Sequence, residues 1–214
     1  MSARPRSATG WPIRVSNTPF DVYVFDFDGT LVDSAALKRE AFFRLLPDDC
    51  RQIVARVLDA DPDGSRHVVI PRMLSMAHGA GLAQEITHAD ALVREYGRLV
   101  EEGVSQAAPM ARADELVAKA AAHASYVASM TPQDQLERFV AARGWRGSFI
   151  QLFGFPLAKA DVVAGLLRHH AIPAARLLVV GDGQSDRQAA NVNGAGFHHV
   201  TGPQSLAHIP GLEL

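Results

Sequence analysis

Two short runs, Val22-Tyr23-Val24-Phe25 and Leu177-Leu178-Val179-Val180, are apolar at every position. Each leads directly into a turn-prone segment rich in aspartate and glycine, Asp26-Phe27-Asp28-Gly29-Thr30 in one case and Gly181-Asp182-Gly183 in the other. Successive side chains of a strand point to opposite faces, so a strand apolar throughout must be covered on both sides. That is the environment of a parallel sheet flanked by helices. Shorter runs at 126–128, 149–152 and 197–200 read as further strands. Between them lie helical stretches: one with Thr131 as its N-cap and Pro132 at its first position, ending near Gly144, then Ala158 to His170, then Ser185 to Asn193. Alternating strands and helices predict an α/β fold, a parallel sheet with right-handed crossovers and helices on both faces.

One block breaks the alternation. From about Ser34 to Gln106 apolar residues recur at helical spacing, as in Leu37, Ala41, Phe42 and Leu45, and no strand is evident. Asp61-Pro62-Asp63-Gly64 divides the block with a turn. The expected organisation is a flexible tail over 1–18, a discontinuous α/β core over 19–34 and 107–214, and an inserted helical block over 35–106.

The overall charge narrows the function classes. With 21 Lys+Arg against 23 Asp+Glu the chain lacks the basic excess of a general nucleic-acid binder. No apolar run reaches the length of about 18–20 residues that spans a bilayer, and no apolar stretch follows the N-terminal arginines as in a secretory signal. A single cysteine, Cys50, forbids an intrachain disulfide and fits a reducing cytoplasmic setting. Cys50 sits in a polar run and reads as a bystander thiol. The histidine pairs 169–170 and 198–199 do not read as zinc sites, because adjacent side chains diverge.

Reactive residue types follow three of the strands. Asp26 and Asp28 follow the first, Ser129 the second, Asp182 and Asp186 the long apolar one, and Lys159 opens the helix before it. In a parallel sheet these positions share one edge, where ligands bind. Two carboxylates about 4 Å apart repel by about 4 kcal/mol at an effective dielectric of about 20. A hard divalent cation such as Mg²⁺ and a lysine would relieve that repulsion.

These segments resemble the motifs of the haloacid dehalogenase superfamily in its phosphatase form. Val24-Phe25-Asp26-Phe27-Asp28-Gly29-Thr30-Leu31-Val32-Asp33-Ser34 is similar to the first motif, Ser129 to the second, Lys159 to the third, and Val180-Gly181-Asp182-Gly183-Gln184-Ser185-Asp186 to the fourth. The resemblance spans roughly residues 20 to 200 and reaches the phosphoglycolate phosphatase and β-phosphoglucomutase-like group. It implies a Rossmann-like sheet with an inserted α-helical cap, and a Mg²⁺-dependent phosphatase acting on a small phosphorylated metabolite. Asp26 would be the nucleophile that forms an aspartyl-phosphate, and Asp28 the acid and then the base. The metal would be held by the Asp26 carboxylate, the Asp28 main-chain carbonyl and Asp182, with Asp186 acting through water. Lys159 would offset charge. Ser129, Lys159, Gly29 and Thr30 would surround the phosphoryl oxygens. Lys38 and Arg66 are candidate substrate contacts from the cap. Dehalogenases of the superfamily lack an acid at the position of Asp28, because a halide leaves without a proton.

Two other readings compete. A sugar-phosphate mutase of the superfamily would keep the same motifs but needs polar cap residues to hold both ends of a sugar, and no convincing set is present. A catalytically idle binding or regulatory module would have lost an acid, and Asp26, Asp28, Lys159 and Asp182 are all retained. The oligomeric state, monomer or dimer, is left open.

Overall fold

The apolar run at 22–25 becomes the middle strand of a five-stranded sheet, because both of its edges are paired. A computed structural model describes residues 19–62 and 64–214; the expected tail at 1–18 lies outside them. In chain order the elements are β1 (Val22–Phe25), α1 (Ala35–Phe43), α2 (Arg51–Ala60), α3 (Arg66–Gly79), α4 (Ala89–Gln106) and α5 (Ala113–Ala120). There follow β2 (Ala124–Pro132), α6 (Gln133–Ala142), β3 (Gln151–Phe155), α7 (Lys159–His170), β4 (Leu177–Gly181), α8 (Gln184–Asn193), β5 (Gly196–His199) and α9 (Pro203–Leu206). The sheet is parallel throughout, in the order β3-β2-β1-β4-β5.

All four residues of β1 and all five of β4 are buried, as their unbroken apolarity requires. Val22, Val24, Tyr126, Ala128, Leu177 and Val179 form one face and pack against Val162, Val163 and Leu166 of α7 and Ala189 and Ala190 of α8. The alternate residues Tyr23, Phe25, Val127, Leu178 and Val180 are buried on the other face. There Phe25 meets Phe149 edge-on, and Phe27 stacks on Phe139 of α6.

The chain divides into two compact units. One ends at Val32 and resumes over Pro109–Leu214, holding the sheet; the other is Asp33–Ala108, holding α1 to α4. Within the second unit, Phe42 stacks on Tyr96 at 4.2 Å between ring centroids, joining α1 to α4. Pro71 is accommodated inside α3.

Three local expectations need correction. β2 runs on to Pro132, well past Ala128, so Ser129 and Thr131 are strand residues. Thr131 does not cap α6; its N-cap is Pro132, because the Thr131 hydroxyl is engaged elsewhere. The third strand starts at Gln151, since Arg146–Ser148 forms a turn of 3₁₀ helix and Phe149 turns into the core instead of pairing.

Candidate active site

Parallel pairing places the strand ends together. Phe25 is in register with Val127 on one side and Val180 on the other. The next residue, Asp26, still follows the ladder, donating its N–H to the Val180 carbonyl at 2.8 Å. The chain then turns tightly: Leu31 and Val32 donate to the Phe27 carbonyl, and Gly29 donates to that of Val32. Gly29 has φ +78°, and a Cβ there would lie 2.2 Å from Oδ2 of Asp182. Glycine is required for both reasons: the backbone occupies the left-handed region and passes hard against a carboxylate.

Asp26, Asp182 and Asp186 form the acidic centre, with one carboxylate oxygen from each lying within 4.8 Å of the others. Among the described residues this is the one group of His, Cys, Asp or Glu side chains so arranged. Lys159, first residue of α7 and 7% exposed, places Nζ 2.8 Å from Oδ1 of Asp26 and 2.8 Å from Oδ1 of Asp186. Asp186 also accepts the Gly183 N–H at Oδ2 (3.3 Å), so both of its oxygens are engaged. Thr30, fully buried, donates its hydroxyl to Oδ1 of Asp182 at 3.1 Å.

Three carboxylates against one ammonium leave two uncompensated negative charges when all are ionised. Burial pushes Asp182 up to about 6, and the charge of Asp26 adds to the shift while Thr30 and Lys159 oppose it. Burial likewise pushes Asp186 up to about 7, Asp26 again adding and Lys159 pulling the other way. For Lys159 burial works against the charge, but Asp26 and Asp186 outweigh it and hold its pKa above the ordinary lysine value. Lys159 is therefore charged, and the surplus carboxylate charge awaits either protons or a cation.

Asp28 faces a different set of partners. Its half-buried carboxylate accepts the Thr131 hydroxyl at Oδ2 (2.6 Å), with Ser129 Oγ 3.5 Å away. Ser129 Oγ in turn accepts the Thr131 N–H at 3.1 Å. Nearby, the Arg143 guanidinium lies over the rings of Phe27 and Trp145; burial lowers its pKa and the charge of Asp28 opposes that.

The structure thus brings Asp26, Asp28, Gly29, Thr30, Ser129, Lys159, Asp182 and Asp186 together in one unit. Thr30, expected beside phosphoryl oxygens, gives its hydroxyl to Asp182. Lys38 on α1 and Arg66 at the start of α3 belong to the other unit. Thr131 and Arg143 are absent from the sequence-derived site. The spacing of Thr131 from Ser129 is the signal that was there to read: two residues apart on an extended strand, both point one way. Consistent with that, Ser129 and Thr131 are buried while Met130 between them is exposed.

Solved structures with this arrangement of elements are numerous. A predicted phosphoglycolate phosphatase from Haemophilus somnus superposes with a TM-score of 0.69 at 20% identity, over 87% of either chain. The chain has the haloacid dehalogenase fold. Its HAD-hydrolase neighbour YfnB from Bacillus subtilis, bound to magnesium, gives a TM-score of 0.63 at 17% identity over 91% of this chain and 94% of that one. The haloacid dehalogenase fold also includes the L-2-haloacid dehalogenase of Xanthobacter autotrophicus, which superposes with a TM-score of 0.57 at 19% identity over 85% and 77% of the two chains. No family model and no curated protein matches the sequence.

Proposed function

We propose that the chain is a Mg²⁺-dependent phosphatase of small phosphomonoesters that works through an aspartyl-phosphate. Asp28 carries this reading. Neighbours of this fold include both a predicted phosphatase and a dehalogenase. An alkoxide leaving group needs a proton and a halide does not. A carboxyl group two residues beyond Asp26, held in place by a hydroxyl at 2.6 Å, favours the ester.

Lys159 occupies Oδ1 of Asp26, so Oδ2 is the oxygen assigned to attack phosphorus. As the Oδ2–P bond forms, the P–O bond to the leaving group breaks, and the departing oxygen takes the proton of Asp28. Asp28, now a carboxylate, then accepts a proton from the water that attacks phosphorus. The Oδ2–P bond breaks, returning the Asp26 carboxylate and inorganic phosphate. Ser129, Gly29 and Lys159 are assigned to the phosphoryl oxygens, Lys159 also offsetting charge that builds up on them. The hard oxygen donors of Asp26 and Asp182 suit Mg²⁺, with the Asp28 main-chain carbonyl as a further ligand and Asp186, already tied to Lys159 and Gly183, acting through water. When bound, Mg²⁺ would neutralise charge on the carboxylates and the phosphoryl group. Cys50 is buried with its thiol pKa pushed up by burial, which disfavours the reactive thiolate. Among the described residues no helix is long and apolar enough to cross a membrane.

The test is hydrolysis of p-nitrophenyl phosphate with and without Mg²⁺. Steady release of phosphate that needs the metal and vanishes in Asp26→Asn is the expected result. Chloride release from 2-chloropropionate in place of phosphate release, or turnover confined to conditions with a bisphosphate activator, would overturn the reading.

A further inference from the structure

β2 leaves regular pairing at the point where its side chains reach the site. Ala128 pairs with Phe153, but Phe155 pairs with Pro132, so four steps on β2 oppose two on β3. The alternation of the strand continues through this stretch, so Ser129 and Thr131 are buried while Met130 between them is exposed. Thr131 is 5% exposed, its N–H is anchored on Ser129 Oγ at 3.1 Å, and its hydroxyl reaches Oδ2 of Asp28 at 2.6 Å. A buried threonine, held at its N–H as well as at its hydroxyl, therefore grips a carboxylate that is itself half-buried. The carbonyl-type Oδ2 of Asp28 accepts the Thr131 hydroxyl both when Asp28 is a carboxylate and when it carries its proton on Oδ1. The grip thus persists through each proton transfer and leaves Oδ1 to give its proton to the leaving group and then take one from water.

We propose that Thr131 is a positioning residue that holds the Asp28 carboxyl in line with the leaving-group oxygen. The inference rests on the phosphatase reading and goes beyond it by assigning orientation of the acid to a β2 side chain. A side chain misplaced by about 1 Å can cost on the order of a hundredfold in rate, and the penalty here falls on esters that need the proton. Aryl phosphates separate the two requirements, because a nitrophenolate departs with little help while a phenolate needs more.

The experiment measures kcat/KM for phenyl, p-nitrophenyl and 2,4-dinitrophenyl phosphate with wild type, Thr131→Val and Thr131→Ser. In Thr131→Val the phenyl to p-nitrophenyl ratio is expected to fall about tenfold, a part of the roughly hundred- to ten-thousandfold that general acid catalysis contributes. Thr131→Ser, which keeps the hydroxyl, restores the wild-type ratio. Equal losses on all three esters in Thr131→Val would mark a merely structural residue and overturn the inference, as would a serine variant that behaves like valine. Circular dichroism checks folding, and Thr131→Ala replaces the valine variant if valine does not fold. Wild type that hydrolyses none of the esters overturns the phosphatase reading and this inference with it. Wild type that is active, beside a valine variant of unchanged ratio, overturns this inference alone.

Discussion

Replacing Lys159 by methionine removes an ammonium that lies 2.8 Å from two carboxylates, in side chains that are 6% exposed for Lys159, 8% for Asp26 and 2% for Asp186. Methionine fills much of the same space, so the loss is electrostatic. Breaking a buried pair by deleting one partner costs about 3–5 kcal/mol, because the other charge is left buried and uncompensated. The cost is not the same at every pH. Asp186 and Asp182 are already pushed up to about 7 and about 6, above their unfolded values, and loss of the lysine pushes both further in that direction. A group with a raised folded pKa adds stability that is full below its unfolded pKa and disappears as pH rises through the folded one. The methionine variant's deficit therefore widens with pH: it approaches the full 3–5 kcal/mol near about pH 8 and is smaller near about pH 5, where protons already neutralise most of Asp182 and Asp186. At about 2–4 °C per kcal/mol for a chain of this size, the melting temperature in chelator falls by roughly 10 °C at the higher pH. Thermal melts of both proteins at both pH values read this directly. An equal deficit at the two pH values, or none at either, would refute the argument that Lys159 serves to offset the acidic centre.

Two further outcomes follow from the same geometry. Mg²⁺ should raise the melting temperature of the wild type more near about pH 8 than near about pH 5, since below about 6 to 7 protons compete for the carboxylates, and calorimetry in two buffers should show proton release on binding; metal stabilisation independent of pH would contradict this. Gly29→Ala should weaken Mg²⁺ affinity by about tenfold or more and cost about 1–2 kcal/mol of stability, because it combines a φ of +78° with a methyl group driven against Asp182, and a variant with wild-type affinity by titration calorimetry would show that this contact does not matter.

The sheet was legible because strands apolar on every residue have few alternatives, and β1 and β4 lie where their composition placed them. The acidic centre was legible for a related reason: parallel strands end together, so residues that follow different strands must meet. Composition said nothing about partners. Nothing in the sequence of Thr30 distinguishes a hydroxyl bonded to Asp182 from one bonded to an anion, and nothing around Asp28 announces that its carboxylate turns to β2 while those of Asp26, Asp182 and Asp186 gather together. Thr131 was misassigned because Thr-Pro before an apolar-periodic stretch is a strong helix-start signal, and a local rule carries no information about a bond to a residue 103 positions away. Phe149 misled in the same way: an aromatic β-former that belongs to the core but not to the ladder.

The point at which the helical unit interrupts the core bears on how the chain folds. Val32 and Pro109 form an antiparallel bridge, Met110 donates to the Leu31 carbonyl at 2.9 Å, and Asp33 donates to that of Ala108 at 3.2 Å. Without that pinch, pairing β1 with β2 closes a loop of roughly a hundred residues. With the inserted unit folded and its ends clasped, the loop shortens to roughly twenty, which eases closure by about 1 kcal/mol. The clasp thus cancels most of the contact order that the insertion adds to a parallel sheet, a topology that assembles slowly. An element that makes up about a third of the chain leaves its two central strands nearly as close in the search for each other as if it were not there.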